Sequence, residues 1–536
     1  MVEPLEPRIA PASLTMGGKL LTYTDIDGDL VKITFTNAAM AEGDFTFPGG
    51  FLAGDTTTPQ KLDTVNLSGK TGAGFTLKAT PQGSKGDSHA DILKVDGSLT
   101  DLGTINIDGD LVTIPAGDGD FNNAPGIKSL TVLSIGKDFS GGAGFTVNGI
   151  GSLTVKGDID PHVQLAINGG AKSITVRGSI VGNADGNGGA IVVNSGGVGT
   201  FKVGGSLFAN SGDGNGNILV AGGVGTLSIG GSVIGEESAF PTIPNTPQVK
   251  IVGDVNSLTI GGDVMGRGDE YGGWVEVNGN AGAIKVGGSL IGGTANDTGV
   301  IYVTGDAKSI SIGRNLVGGN SKGGAAVVFS GAVLVDGSLG SLSIGGDFRG
   351  GRVIDAGGSL GQSSMVGVKG TLGPVKIGGS ILGDPGHLAY ITAGGLGAGT
   401  TPAIKSVTVK GSVTSASILA GYDREFTQRN LLAGIGSVGV GGNFAGSYIT
   451  AGAEKGGDLV PGTGDDDTVA NHTTVIGSVK IAGAFLGLEG SVTQFDIYAP
   501  HITKLQVGAA SYTDTQLRGP GVHFSSTGTA LALAAG

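Results

Sequence analysis

Three places in this 536-residue sequence concentrate side chains able to do chemistry. Asp25-Ile26-Asp27-Gly28-Asp29 brings three carboxylates close together. A hard cation such as calcium takes about six to eight oxygen ligands, so this stretch is a candidate calcium site. It lacks the Asp-x-Asp-x-Asp-Gly order and the distal Glu of an EF-hand loop. A hairpin turn at Asp27-Gly28 accounts for the same residues without an ion. Asp465, Asp466 and Asp467 form a denser anionic run on the longest loop, the second candidate for calcium; a solvated polar loop is its plainer reading. The third place is mixed: Tyr422, Asp423, Arg424, Glu425 and Arg429, beside Asp458 and His472 on the neighbouring loop. Carboxylates, guanidinium groups and an imidazole in one cleft can bind a glycan or cleave it.

Weaker signals surround these. Arg267-Gly268-Asp269 is a tripeptide that some integrins read, and Gly-rich charged loops produce it by chance. Tyr271 and Trp274 offer a platform for a sugar ring, although Val275 and Val277 continue a strand that packs Trp274 at a corner of the fold. Catalysis has little support. Outward polar positions are mostly Thr, Ser and Lys, such as Thr154, Lys202, Ser228, Lys285 and Thr408, which make a solubilising face. The six His are dispersed without ligand spacing. No catalytic residue is assigned, and the third cluster reads first as a binding surface.

The elements that must position these residues come from one recurring phrase, apolar–polar–Val or Ile, a small or charged residue, Gly, Ser or Asp, apolar. Leu227–Val233 is an example. Copies start at Ile105, Leu133, Leu153, Ile174, Phe201, Leu227, Leu258, Ile284, Ile310, Leu342, Val375, Val407, Val438 and Val479, with a worn copy at Leu505. Self-similarity at this period marks a repeat architecture. Two apolar residues flanking a polar one have strand periodicity. A third strand follows in each unit, as at Ile191–Val193 and Ile301–Val303. Too little chain remains for crossover helices, so stacked coils must bury the apolar faces. The expected fold is all-β: a parallel β-solenoid, right-handed by the handedness of parallel crossovers. It has three short strands per coil and roughly 14 coils, with a small N-terminal β cap.

Four segments follow. Residues 1–17 are extended, 18–90 form the hairpin-containing cap, 91–507 the solenoid, and 508–536 a tail without an evident cap, suited to docking on another chain. Insertions fall after the second strand in the N-terminal half. They fall after the third strand at Gly394–Pro402, Gly421–Asn430 and Gly452–Thr473, where the same phase predicts one contiguous loop surface. Loops on a rigid scaffold are where function concentrates.

Composition excludes several classes. The 109 Gly have no three-residue period, so collagen is out, and regular Val, Ile and Leu argue against disorder. Without Cys there is no disulfide or thiolate chemistry. A net charge of −13, scattered singly, opposes nucleic-acid binding. No apolar run is long enough for a transmembrane helix, and the start of the chain carries no signal sequence.

Leu5-Glu6-Pro7-Arg8-Ile9-Ala10-Pro11-Ala12 resembles the LEPR-type N-terminal motif of large bacterial surface proteins, with Ile9-Ala10 in place of the usual Leu-Leu. The repeats resemble those of bacterial β-strand-repeat, adhesin-like proteins. The resemblance implies export and display at a bacterial cell surface. The expected function is a non-catalytic structural protein: a spacer, adhesin stalk or self-assembling filament subunit, with self-association or other surface proteins as partners. The alternative is a glycan-binding or polysaccharide-degrading β-helix using the C-terminal loops. No cofactor is expected other than calcium.

Overall fold

The alternation read from the sequence appears as strands throughout. The computed structural model describes residues 12–48, 59–82, 86–120, 124–136, 143–182, 188–209, 216–235, 248–268, 270–322, 324, 326–355, 357–384, 386–397, 402–457, 467–468, 473–487, 495–513, 522–527 and 530–535. Among them the only helical element is a single 3-10 turn at Glu42–Asp44. Parallel pairing between successive units makes the fold a parallel β-solenoid. The chain divides into two compact units, 1–230 and 231–536.

The first unit opens with antiparallel strands at Ser13–Thr15, Leu20–Thr24, Asp29–Thr36 and Gly74–Pro81. Their inner face holds Phe35 against Phe45 and Phe75, at ring separations of 5.6 and 5.7 Å. Gly74–Pro81 then pairs in parallel with Leu102–Ile107, which starts the coils. The first ladder runs Ile105, Leu130, Leu153, Ile174, Phe201, Leu227, all in register and buried. One expected copy was misplaced by three residues. Leu130 occupies the ladder, whereas Leu133 precedes Ser134–Ile135, a strand that pairs with Asp110–Leu111. The run Leu-Thr-Val-Leu-Ser-Ile carries the phrase twice in tandem, and only stacking selects the frame.

The second unit repeats the scheme at longer reach. Its first ladder is Leu258, Ile284, Ile310, Leu342, Val375, Val407, Val438, Val479 and Leu505, so even the worn copy is in register. The second ladder runs from Val233 to Phe485, where Phe444 and Phe485 stack at 5.5 Å. The third runs Val249, Val275, Ile301, Val333, Val366, Ile391, Ile418, Ile449 and Ile497. Both long ladders end in antiparallel strands. His501–Val507 pairs with Ala510–Thr513, and Phe495–Ala499 pairs with Val522–Thr527, which pairs with Ala530–Ala535. The tail thus carries β structure of its own. The repeat pattern cannot reveal it, because antiparallel strands do not follow the phrase.

The Ser, Asp or Asn of the phrase has a role that alternation alone does not disclose. Its side-chain oxygen accepts the backbone N–H of the equivalent residue one coil later. In the second unit the series is Ser232, Asp263, Ser289, Asn315, Asp347, Ser380, Ser412, Asn443 and Ala484, at 2.6–3.3 Å. The Ser380 N–H, helped by Arg349, holds the Asp347 carboxyl below the usual range. Each bond satisfies a corner amide that no strand ladder reaches. Asn315→Ala removes the acceptor for the Asp347 N–H and is expected to cost about 1–2 kcal/mol in urea unfolding. Asn315→Asp, which keeps an acceptor, is expected to lose less. Equal losses would show that the side-chain ladder contributes nothing.

Candidate functional site

The third ladder of the second unit has an unusual outer face. Within each strand, the residues between and before the inward ones point outward. Trp274, Val300, Ala332 and Met365 form one outward row, and Tyr302 and Leu334 belong to the next. With Tyr390 they make a second apolar cluster, against which Tyr271, Phe329, Leu388 and Phe426 pack. Rings meet edge to face: Tyr271 with Trp274 at 5.0 Å, Trp274 with Tyr302 at 6.0 Å, and Tyr390 with Phe426 at 5.0 Å. Trp274 is therefore part of the strand itself, 7 % exposed, with an indole N–H that finds no acceptor.

Arg424 lies over this face. Its guanidinium carbon stands 4.8 Å from the Tyr302 ring centroid and 5.9 Å from that of Phe329. It reaches Asp336 at 2.9 Å and Glu425 at 2.6 Å. Lys369 meets Asp336 at 3.1 Å, and the Tyr302 hydroxyl donates to the same carboxylate at 2.9 Å. A Cβ on Gly367 would collide with that of Arg424, so glycine at that strand position lets the arginine lie flat. Burial alone would lower the Arg424 pKa; Tyr302, Glu425 and Asp336 outweigh it and raise it. Burial pushes Asp297 up to about 6, with Glu270 adding to the rise and Arg424 opposing it. Two cations thus face two anions, and each polar group here anchors another.

The three C-terminal loops do meet, as their shared phase predicts. The Asn430 amide donates to the Gly397 carbonyl, and the Tyr422 hydroxyl donates to the Ala453 carbonyl at 2.8 Å. Their key residues do not all face outward, however. Tyr422 and Asp423 are fully buried. Asp423 accepts the N–H groups of Glu425 and Thr427 at 3.0 and 2.9 Å and the Arg429 Nε at 2.6 Å. Both residues therefore fasten the loop, and only Arg424, Glu425 and Arg429 keep exposed surface. Their polar character looked like binding chemistry, but a short loop has to satisfy its own backbone first. Asp458, Asp465, Asp466 and His472 lie outside the described residues, as does Asp269. Asp467 stands in a two-residue strand paired with Ala453–Glu454.

In the first unit the Asp25–Asp29 turn closes the expected hairpin, with Tyr23 opposite Val31. Asp25 Oδ1 accepts the N–H groups of Gly28 and Asp29 at 3.1 and 2.7 Å. Ligand oxygens of Asp25, Asp27 and Asp29 all lie within 4.8 Å of one another. Burial pushes the Asp25 carboxyl up to about 7, with Asp27 adding to the rise. The bond to Asp25 lowers Asp27, and burial raises Asp29.

Sequence reasoning missed Tyr302, Phe329, Asp336, Lys369 and Phe426. A signal was present for one of them: Tyr302, like Trp274 and Tyr390, is an aromatic at an outward strand position, flanked in register by Glu276 and Leu334. Compared with protein-family models, curated proteins and solved structures, the chain has no match.

Proposed function

We infer that this chain is a non-catalytic structural protein, exported and displayed at a bacterial surface as a stiff spacer, adhesin stalk or self-assembling subunit. The observation that carries this reading is the double ladder of the second unit. Nine successive apolar residues from Leu258 to Leu505 stack in register, and a parallel line of side-chain-to-backbone bonds fixes one corner of each coil. Such a scaffold gains rigidity from repetition, since each coil is held by its neighbours. The densest charged cluster supports the same reading, because Arg424, Asp336, Lys369 and Glu425 neutralise one another and fasten a loop to a sheet. Export and display rest on the resemblance of the N-terminal motif and repeats to those of bacterial surface proteins.

Negative-stain electron microscopy of the purified chain tests self-assembly. Filaments or ordered arrays are the expected result, and a chain lacking residues 508–536 is expected to lose them, since its terminal strands offer edges for pairing between copies. Separate particles at all concentrations would remove assembly from the reading.

A second reading, glycan binding, draws on one observation. Tyr271, Phe329 and Phe426 take left-handed backbone conformations, at φ of 62°, 50° and 55°. Bulky residues adopt that region rarely, and such strain concentrates at ligand sites. Tyr271→Ala is expected to lower binding in a glycan array at least tenfold if this face is the site. Unchanged binding would place any glycan elsewhere.

A further inference from the structure

The Asp25–Asp29 hairpin lies far in sequence from the loops of the second unit, and its geometry raises a separate question. Three carboxylates converge there within 4.8 Å. Among the described residues no lysine or arginine pairs with any of them, although Lys70, Lys94 and Lys156 in the same unit are each paired with a different aspartate. Backbone amides hold one oxygen of each group: Asp29 N–H on Asp25 Oδ1 at 2.7 Å, Asp87 N–H on Asp27 Oδ2 at 3.1 Å, and Ser88 N–H on Asp29 Oδ2 at 2.7 Å. The groups are thus fixed in place before any ligand arrives.

A second observation points to what is missing. Asp29 is fully buried, and its Oδ1 has no hydrogen-bond donor. An unpaired buried carboxylate oxygen is costly, and folded proteins remove such groups by pairing or by coordinating a metal. The same corner holds further buried polar atoms without partners. Gln60, whose N–H donates to the Thr24 carbonyl, leaves both amide atoms unpaired, and His89 leaves Nδ1 unpaired. A hairpin turn needs Gly28 in its left-handed conformation and Asp25 to accept the turn amides. It does not need Asp27 and Asp29 to turn two further carboxylates toward Asp25.

We propose that the carboxylates of Asp25, Asp27 and Asp29 bind one calcium ion at the tip of the N-terminal hairpin. Oxygen donors without thiolate select a hard cation, and calcium tolerates irregular carboxylate geometry where magnesium demands an octahedron. Asp27 and Asp29 each accept an N–H from residues 87–88, so the ion ties the hairpin to the segment leading into the strand at Ile92–Ser98. The cap over the first coil thereby gains a clasp.

The test uses the full chain, titrated with calcium chloride in a calorimeter and melted in calcium or in chelator. The expected isotherm includes a site with a dissociation constant on the order of 0.1–1 mM, the range of extracellular calcium modules. The melting temperature is expected to rise by several degrees in calcium. Asp29→Asn should abolish that site and the thermal shift. In chelator it should melt no lower than the parent, because it removes an unpaired buried charge. Asp27→Asn, at an exposed position where folding is not at stake, should weaken the site at least tenfold. A flat isotherm with no thermal shift in millimolar calcium would overturn the proposal. So would wild-type heat in both variants, which would place the ion elsewhere.

Discussion

Gly299→Ala is expected to destabilise the second unit by about 3 kcal/mol, read as a lower urea midpoint in circular dichroism. Gly299 takes φ of 60°, the left-handed region, which costs a residue with a Cβ about 1–2 kcal/mol. The added methyl would also meet the carbonyl of Ile291, backbone that cannot swing aside. Crowding of that kind typically adds about 1–3 kcal/mol. The position is where the chain returns from an insertion to the third ladder, and the same geometry recurs at Gly273 against Met265 and at Gly331 against Val317. Gly324, also left-handed but with open space around it, is the control: Gly324→Ala should cost only the backbone term. Equal losses at 299 and 324 would show that the carbonyl contact does not matter.

Asp423→Ala should release the loop at 421–430. Its buried carboxylate holds two amides and the half-exposed Arg429 guanidinium, and removing it takes the shared acceptor from all three, which leaves Arg429 to water and the turn without its tie. Losing such a network costs about 3 kcal/mol locally. The ladders beneath are independent of it, so the loss should appear as fast hydrogen exchange and protease cleavage near Arg424 while the strand signal persists. Phe426 and Arg424 would leave Tyr390 and Tyr302, which exposes an aromatic face now covered. Protection equal to the parent would mean that Phe426 packing alone holds the loop. Glu425→Ala, which removes a partly exposed partner of Arg424, should change exchange little by comparison.

Fold and site differ in how far the sequence discloses them. The first ladder is legible because the constraint acts on every coil: Ile284, Ile310 and Leu342 must each be apolar at the same phase. Leu130 against Leu133 shows the limit, since two tandem phrases are equal locally and the neighbouring coils choose between them. The antiparallel closure at Val522–Thr527 and Ala530–Ala535 leaves no repeat to read. The hairpin at Asp27-Gly28 is local and therefore evident. The cluster around Arg424 is not. Its members come from four coils, and only the register that sets Tyr302 beside Leu334, with Gly367 next in line, brings them under one loop. Burial of Asp423 is equally hidden, because a carboxylate that serves its own turn looks in sequence like one that serves a ligand.

The corner bonds from Ser232 to Asn443 all point the same way: the earlier coil supplies the acceptor, the later coil the amide. The last amide in the series belongs to Ala484, a residue with no acceptor to offer onward. The series therefore has a direction and a written terminus. Each intermediate coil presents the same donor below and the same acceptor above, whether the residue is Ser, Asp or Asn. A segment running from one such residue to the next can be duplicated or deleted with both junctions still matched. Copying errors outside the coils that carry Tyr302 to Arg424 would change the number of corner bonds without changing their chemistry, whereas one inside those coils would pull the Arg424 cluster apart.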